Sequence, residues 1–186
     1  VRTLIALLAG ALLLTSAPAA LAQDYVDTEP APVGQPAVID GTALTVTVTA
    51  VQVAADPATL VFDPDPLTVA PGDAGLLVEL TLHNGEAEPI TGRDLDFRLV
   101  DATGVEHSRA TGVCGAHEDD ARWIGNLRPG RERSVTACWI TAPERLGDGA
   151  FIEFRVLRTG SRFTPFALTG PEATPVASPV ATPMSP

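Results

Sequence analysis

Leu76-Leu77-Val78-Glu79-Leu80-Thr81-Leu82-His83, closed by Asn84-Gly85, carries the clearest periodicity in the chain. Leu76, Val78, Leu80 and Leu82 alternate with Glu79, Thr81 and His83. A period of two puts successive side chains on opposite faces of a pleated strand, so the four apolar residues share a buried face. Leu95-Asp96-Phe97-Arg98-Leu99 repeats the pattern, with Asp96 and Arg98 facing outward. About ten residues separate the two runs, too many for a two-residue hairpin, so the chain is expected to pass there from one sheet to another.

Further strands are expected on either side of this pair. Leu44, Val46 and Val48 alternate with Thr45, Thr47 and Thr49, and beyond Ala50 the apolar positions become Val51 and Val53. A bulge near Ala50 produces that one-residue shift of phase. Residues 60–62 read as an edge piece, and Leu67-Thr68-Val69 as a short strand entering the turn Ala70-Pro71-Gly72-Asp73. After a turn at 101–104 come a weaker strand over 105–113, a polar loop over 114–122 and a short edge piece at Trp123-Ile124. The turn Leu127-Arg128-Pro129-Gly130 precedes a strand over 131–141. The last clear strand begins at Phe151 and sets Ile152, Phe154 and Val156 on one face, with Phe163 and Phe166 packing as a final segment. About seven short strands separated by turns, with no helix-period stretch, predict an all-β antiparallel sandwich.

The ends differ in composition. Arg2, the apolar run over 4–14 and Ala20-Leu21-Ala22 form a positive region, a short apolar core and an A-x-A site, the pattern of a secretory signal peptide. The acidic, proline-rich stretch that follows reads as a flexible leader, and the Pro, Ala, Thr and Ser repeat near the C-terminus as an extended tail. The expected organisation is a signal over 1–22, a leader over 23–41, one sandwich domain over 42–168 and a tail over 169–186. Export places the protein outside the cytoplasm, with no membrane span in the sandwich. The formal charge of −11 disfavours a phosphate backbone as partner, so nucleic-acid binding is not expected.

Two cysteines in an exported chain pair most simply with each other, Cys114 with Cys138. On the strand over 131–141, Val135, Ala137 and Trp139 share one face and Cys138 lies on the other. With the tryptophan face in the core, the disulfide is expected to clamp the Cys114 loop against the outside of a sheet. In antibody domains the bond crosses between the sheets instead.

The stretches Leu76 to Asn84-Gly85, Glu88-Pro89-Ile90, Asp96-Phe97-Arg98-Leu99-Val100-Asp101 with Gly104, and Leu127-Arg128-Pro129-Gly130 together resemble the secreted bacterial immunoglobulin-like domains of the telokin-like family of unknown function. The mycobacterial immunogenic secreted antigens belong to the same broad group. The resemblance implies an extracytoplasmic immunoglobulin-like sandwich and brings no catalytic residues with it.

Cys114-Gly115-Ala116-His117 with His83 offers a cupredoxin-like copper site as the alternative, since such sites use two histidines, a thiolate and a weak axial ligand. Against it stand the partner Cys138, the placement of the only methionine, Met184, in the tail, and the strands that follow the loop. His117-Glu118-Asp119-Asp120 and Asp63-Pro64-Asp65-Pro66 lack the spaced ligands of a calcium loop and read as solvated acidic segments. His83 reads as a solvated strand end. His107-Ser108 is the only adjacent base and nucleophile, and neighbours on a strand point to opposite faces. The expectation is a monomeric, secreted, non-enzymatic module without cofactor, binding a protein or cell-envelope component or serving structurally.

Overall fold

The computed structural model describes residues 29–62, 69–110, 112–116 and 118–169. Ten strands lie among them: β1 (Pro36–Val38), β2 (Leu44–Ala54), β3 (Val61–Phe62), β4 (Ala74–Asn84), β5 (Leu95–Val100), β6 (Glu106–Ser108), β7 (Val113–Cys114), β8 (Glu132–Thr141), β9 (Phe151–Val156) and β10 (Thr164–Ala167). One sheet has the order β1-β2-β4-β8, a second β10-β9-β5-β6, and β3 and β7 form a separate two-stranded ribbon. Every ladder within them is antiparallel.

This is the predicted all-β sandwich. Read in chain order, β2-β4-β8 corresponds to strands A-B-E of an immunoglobulin domain, and β10-β9-β5-β6 to G-F-C-C′. The two runs that decided the fold, β4 and β5, are interior strands of opposite sheets, so the connection between them crosses the sandwich as expected. Leu76, Val78, Leu80 and Leu82 face Phe97, Leu99, Ile152 and Phe154 in one continuous core that also holds Trp139. Phe97 and Phe154 are cross-strand neighbours whose rings meet edge to face at 4.5 Å, a favoured aromatic geometry. The pairing of β2 with β4 shifts register between Val48 and Ala50, at the bulge that the change of phase predicts.

Three expectations are corrected. The leader over 23–41 is not wholly outside the fold: β1 pairs with β2, Ile39 is fully buried, and Ala31 bridges to Phe166 in parallel. Its prolines remove few needed donors, because β1 lies at a sheet edge. The weak strand over 105–113 divides into β6, on the second sheet, and β7, in the ribbon. Trp123 ends a one-turn 3-10 helix, Ala121–Trp123, rather than starting an edge strand, because the Asp120 carboxylate caps the turn through the Arg122 N–H. The expected signal over 1–22 lies outside the described residues, as do residues 63–68, Thr111, His117 and 170–186.

Candidate functional site

The outer face of β4 is not uniformly polar. Glu79, Thr81 and His83 are polar, but Leu77 on the same face is buried. Its partner across the ladder is Cys138 on β8. Leu77, Cys138, Cys114, Val61 and Ala110 form a second apolar cluster, separate from the core, with Leu60 and Ile140 against it. An apolar patch on the outside of a sheet needs a cover, and the ribbon of β3 and β7 supplies it as a third layer. The 3-10 turn Pro57–Thr59 presses so closely on β4 that a Cβ at Gly75 would stand 3.0 Å from the Pro57 Cα.

The layer is fastened covalently and by hydrogen bonds. Cys114 and Cys138 are disulfide-bonded, with Cα atoms 5.5 Å apart and both residues fully buried. The bond lies outside the sandwich core, between β8 and the layer. Thr136 Oγ1 donates to the Cys114 carbonyl at 2.7 Å, Gly115 N–H to Leu60 at 3.1 Å and Ala110 N–H to Cys138 at 2.8 Å.

Asp120 is the polar centre of this arrangement. Its buried carboxylate accepts from the Cys114 N–H at 2.9 Å, the Arg122 N–H at 2.8 Å and Arg122 Nη2 at 2.7 Å. Arg122 also donates to the Gly112 carbonyl. Burial opposes the charge on Asp120, but the Arg122 side chain and the two backbone N–H groups outweigh it and hold the carboxyl below its usual range. Of the segment read as a solvated acidic loop, Glu118 and Asp119 are exposed, whereas Asp120 is buried and paired. Arg109 lies with its guanidinium 5.1 Å above the Phe97 ring, and burial lowers its pKa from the ordinary value while Asp120 opposes the shift.

The layer and the 3-10 turn beside it expose two large apolar side chains. Phe62 on β3 is 73% exposed and Trp123 is 57% exposed. Sequence reasoning read both as parts of short edge pieces. The one available signal was Leu77, an apolar residue on the polar face of a two-residue pattern.

A second buried carboxylate organises the opposite sheet. Asp101 accepts from His107 Nε2 at 2.8 Å, Thr103 Oγ1 at 2.6 Å and the Val105 N–H at 3.0 Å, which closes the β5–β6 turn. The hydrogen bonds from His107 and Thr103 hold its carboxyl far below the usual carboxylate range. His107 is thus tied to a carboxylate, while Ser108 is exposed on the alternate side of the strand. The remaining outward charges of this sheet pair with one another: Arg98 with Glu153 and Glu106, and Arg155 with Asp96, under the ring of Phe163.

The copper constellation is not assembled. The Cys114 sulfur is bonded to Cys138, so it offers no thiolate, and His83 is exposed near the far end of β4. His117, Met184 and the Asp63 to Pro66 segment lie outside the described residues. Among the described residues, no group of three or more His, Cys, Asp or Glu side chains is placed to hold a metal ion. No helix among them is long and apolar enough to cross a membrane.

A search of curated proteins finds no match. Among solved structures the chain is similar to the yjhA protein of Bacillus subtilis, at 12% identity over 74% of this chain and 99% of that one, with a TM-score of 0.50. An uncharacterized β-sandwich protein of Clostridium difficile 630 matches at 11% identity over 75% of this chain and 95% of that one, with a TM-score of 0.47. The ycdA protein of Bacillus subtilis, a candidate lipoprotein, matches at 10% identity over 73% of this chain with a TM-score of 0.47, and only 38% of its own length is covered. These likenesses concern the fold alone. The family described as domain of unknown function DUF4352 matches residues 31–141, more than half of the 186, which takes in both sheets' central strands β4 and β5 and the entire clamped layer; the chain belongs to that family.

Proposed function

We propose that the protein is an exported, non-enzymatic immunoglobulin-like binding module, related to the telokin-like secreted domains and mycobacterial antigens, that docks a protein or cell-envelope component on its disulfide-clamped layer. One observation carries the reading. Phe62 on the clamped layer and Trp123 on the 3-10 turn that the buried Asp120 caps beside it expose large apolar surface on a framework held by a disulfide and hydrogen bonds. Ordering such residues in advance lowers the entropy that binding must overcome, and aromatic anchors dominate interface energetics. A buried disulfide agrees with an oxidising compartment.

The experiment is capture from native culture fluid and cell envelope on the immobilised full chain, in parallel with Phe62→Ser/Trp123→Ser. Both substituted side chains are largely exposed, so the variant should keep the wild-type Tm. The reading expects a component retained by the wild type and lost by the variant. Identical captures from both proteins would overturn the placement of the surface.

A further inference from the structure

Arg128, Arg131 and Arg133 place three of the twelve arginines of an acidic chain within six positions. They line one open groove of about 570 Å³ with Asn126, Leu127, Pro129 and Glu132. This groove lies where β8 begins, and it includes neither Phe62 nor Trp123. Glu132 is the one carboxylate among the lining residues, against three guanidinium groups, and Glu118 lies beside Arg133. Arg98, Arg122 and Arg155, by contrast, each meet a carboxylate within 2.8 Å. Arg128 and Arg131 make no such pair among the described residues, and Arg133 donates only to the Glu118 carbonyl, at 2.8 Å.

The backbone beneath these arginines is rigidly held. Asn84, fully buried, donates through Nδ2 to the Leu127 carbonyl at 2.8 Å and to the Glu88 carbonyl at 2.9 Å. Its backbone accepts from the Gly130 N–H at 2.6 Å and donates to the Arg131 carbonyl at 2.9 Å. Leu127 and Ile90 exchange a pair of backbone bonds of 2.8 and 3.0 Å. Gly130 takes the positive φ of 68° that turns the chain between Arg128 and Arg131. Like charges held together on a fixed turn repel one another, and a surface free of function relieves that by interspersing opposite charges.

We propose that Arg128, Arg131 and Arg133 form a binding site for a phosphate dianion, free or carried as a monoester on a small ligand. Three guanidinium groups against one lining carboxylate suit a compact anion. Guanidinium forks match its oxygens, and the donors stand on a frame that needs no reordering. The overall charge of −11 selects against a long polyanion, whose distant charges would be repelled, and in favour of a compact one. The site stands independently of the apolar layer, so either reading can fail alone.

The test is isothermal titration and amide-shift mapping of the full chain at low ionic strength with inorganic phosphate, a sugar phosphate monoester and chloride. Saturable binding of phosphate or the monoester, with shifts centred on residues 126–133, is expected. Arg128→Gln/Arg131→Gln should weaken it roughly tenfold or more, while the charge-matched control Arg93→Gln/Arg162→Gln should leave it unchanged. Tighter binding of the monoester marks a ligand-borne phosphate, and equal binding marks the free anion. Absence of saturable binding, or equal weakening by both double variants, overturns the proposal.

Discussion

Cutting the disulfide should separate the stability of the third layer from that of the sandwich. The bond joins residues 24 positions apart. In the chain-entropy model, closing a loop of that length removes about 3.5 kcal/mol of unfolded-state freedom. Cys114→Ala/Cys138→Ala also deletes two buried sulfurs, which adds roughly 1 kcal/mol of lost packing. For a domain of this size the total corresponds to a fall in Tm of roughly 10–15 °C, or in urea midpoint of about 2 M. The two tryptophans make the assay specific, because Trp139 is buried in the core whereas Trp123 is exposed on the 3-10 turn that Asp120 caps beside the layer. Urea unfolding followed by fluorescence, with Trp123→Phe to isolate the Trp139 signal, compares the two regions. In the wild type both signals should change together. Without the bond the Trp123 change should come first, accompanied by fast exchange of the amides at positions 114 and 115, whose N–H groups bond to Asp120 and Leu60 in the wild type. A loss below about 1 kcal/mol, with coincident transitions, would refute the argument that the clamp secures the layer.

Four other outcomes follow from the same geometry. Asp120→Asn leaves the Arg122 guanidinium without its carboxylate and should cost about 2–3 kcal/mol in urea unfolding, less than a fully buried pair because Arg122 is about a quarter exposed. Gly92→Ala would drive a Cβ to 2.5 Å from the Ala121 and Arg122 carbonyl oxygens, and should cost roughly 1–3 kcal/mol by chemical denaturation. Trp139→Ala empties the largest fully buried side chain and should lose roughly 3–5 kcal/mol, enough to leave the far-ultraviolet circular dichroism signal unfolded at moderate temperature. Asp101 and Asp120 both titrate below ordinary carboxylates in the folded state, so near and below pH 4 the unfolded chain binds more protons and stability should fall as pH falls. Tm measured against pH should show that acid loss, and it should be shallower in Asp101→Asn; equal slopes would remove Asp101 from the explanation.

Strand periodicity was legible because it is local. Leu76 to Leu82 and Leu95 to Leu99 declare their buried faces without reference to any partner, and the phase change at Ala50 marks its bulge. The first strand was not legible for the opposite reason. Pro36-Ala37-Val38 has the composition of a linker and becomes a strand by pairing with Thr45 to Thr47, a relation that the local pattern does not encode. The position of Cys138 away from the tryptophan face was readable by alternation. A Cys114 loop over it was expected too, but the ribbon of that loop with β3 was not legible, because β3 and β7 are two residues each, too short to carry a period. The two buried carboxylates were hidden likewise. Asp101 and Asp120 look like ordinary turn and loop acids until the fold brings His107 and the Cys114 N–H against them.

The bridge between Ala31 and Phe166 has a mechanical corollary. Ala31 runs parallel to β10, donating to the Pro165 carbonyl at 3.0 Å and accepting from the Ala167 N–H at 2.9 Å. Tension applied through residues 31 and 167 in opposite directions pulls two parallel segments lengthwise past each other. Both hydrogen bonds then stretch at once rather than opening in sequence like a zip, so a load reaching the domain from its two flanks meets its stiffest direction first.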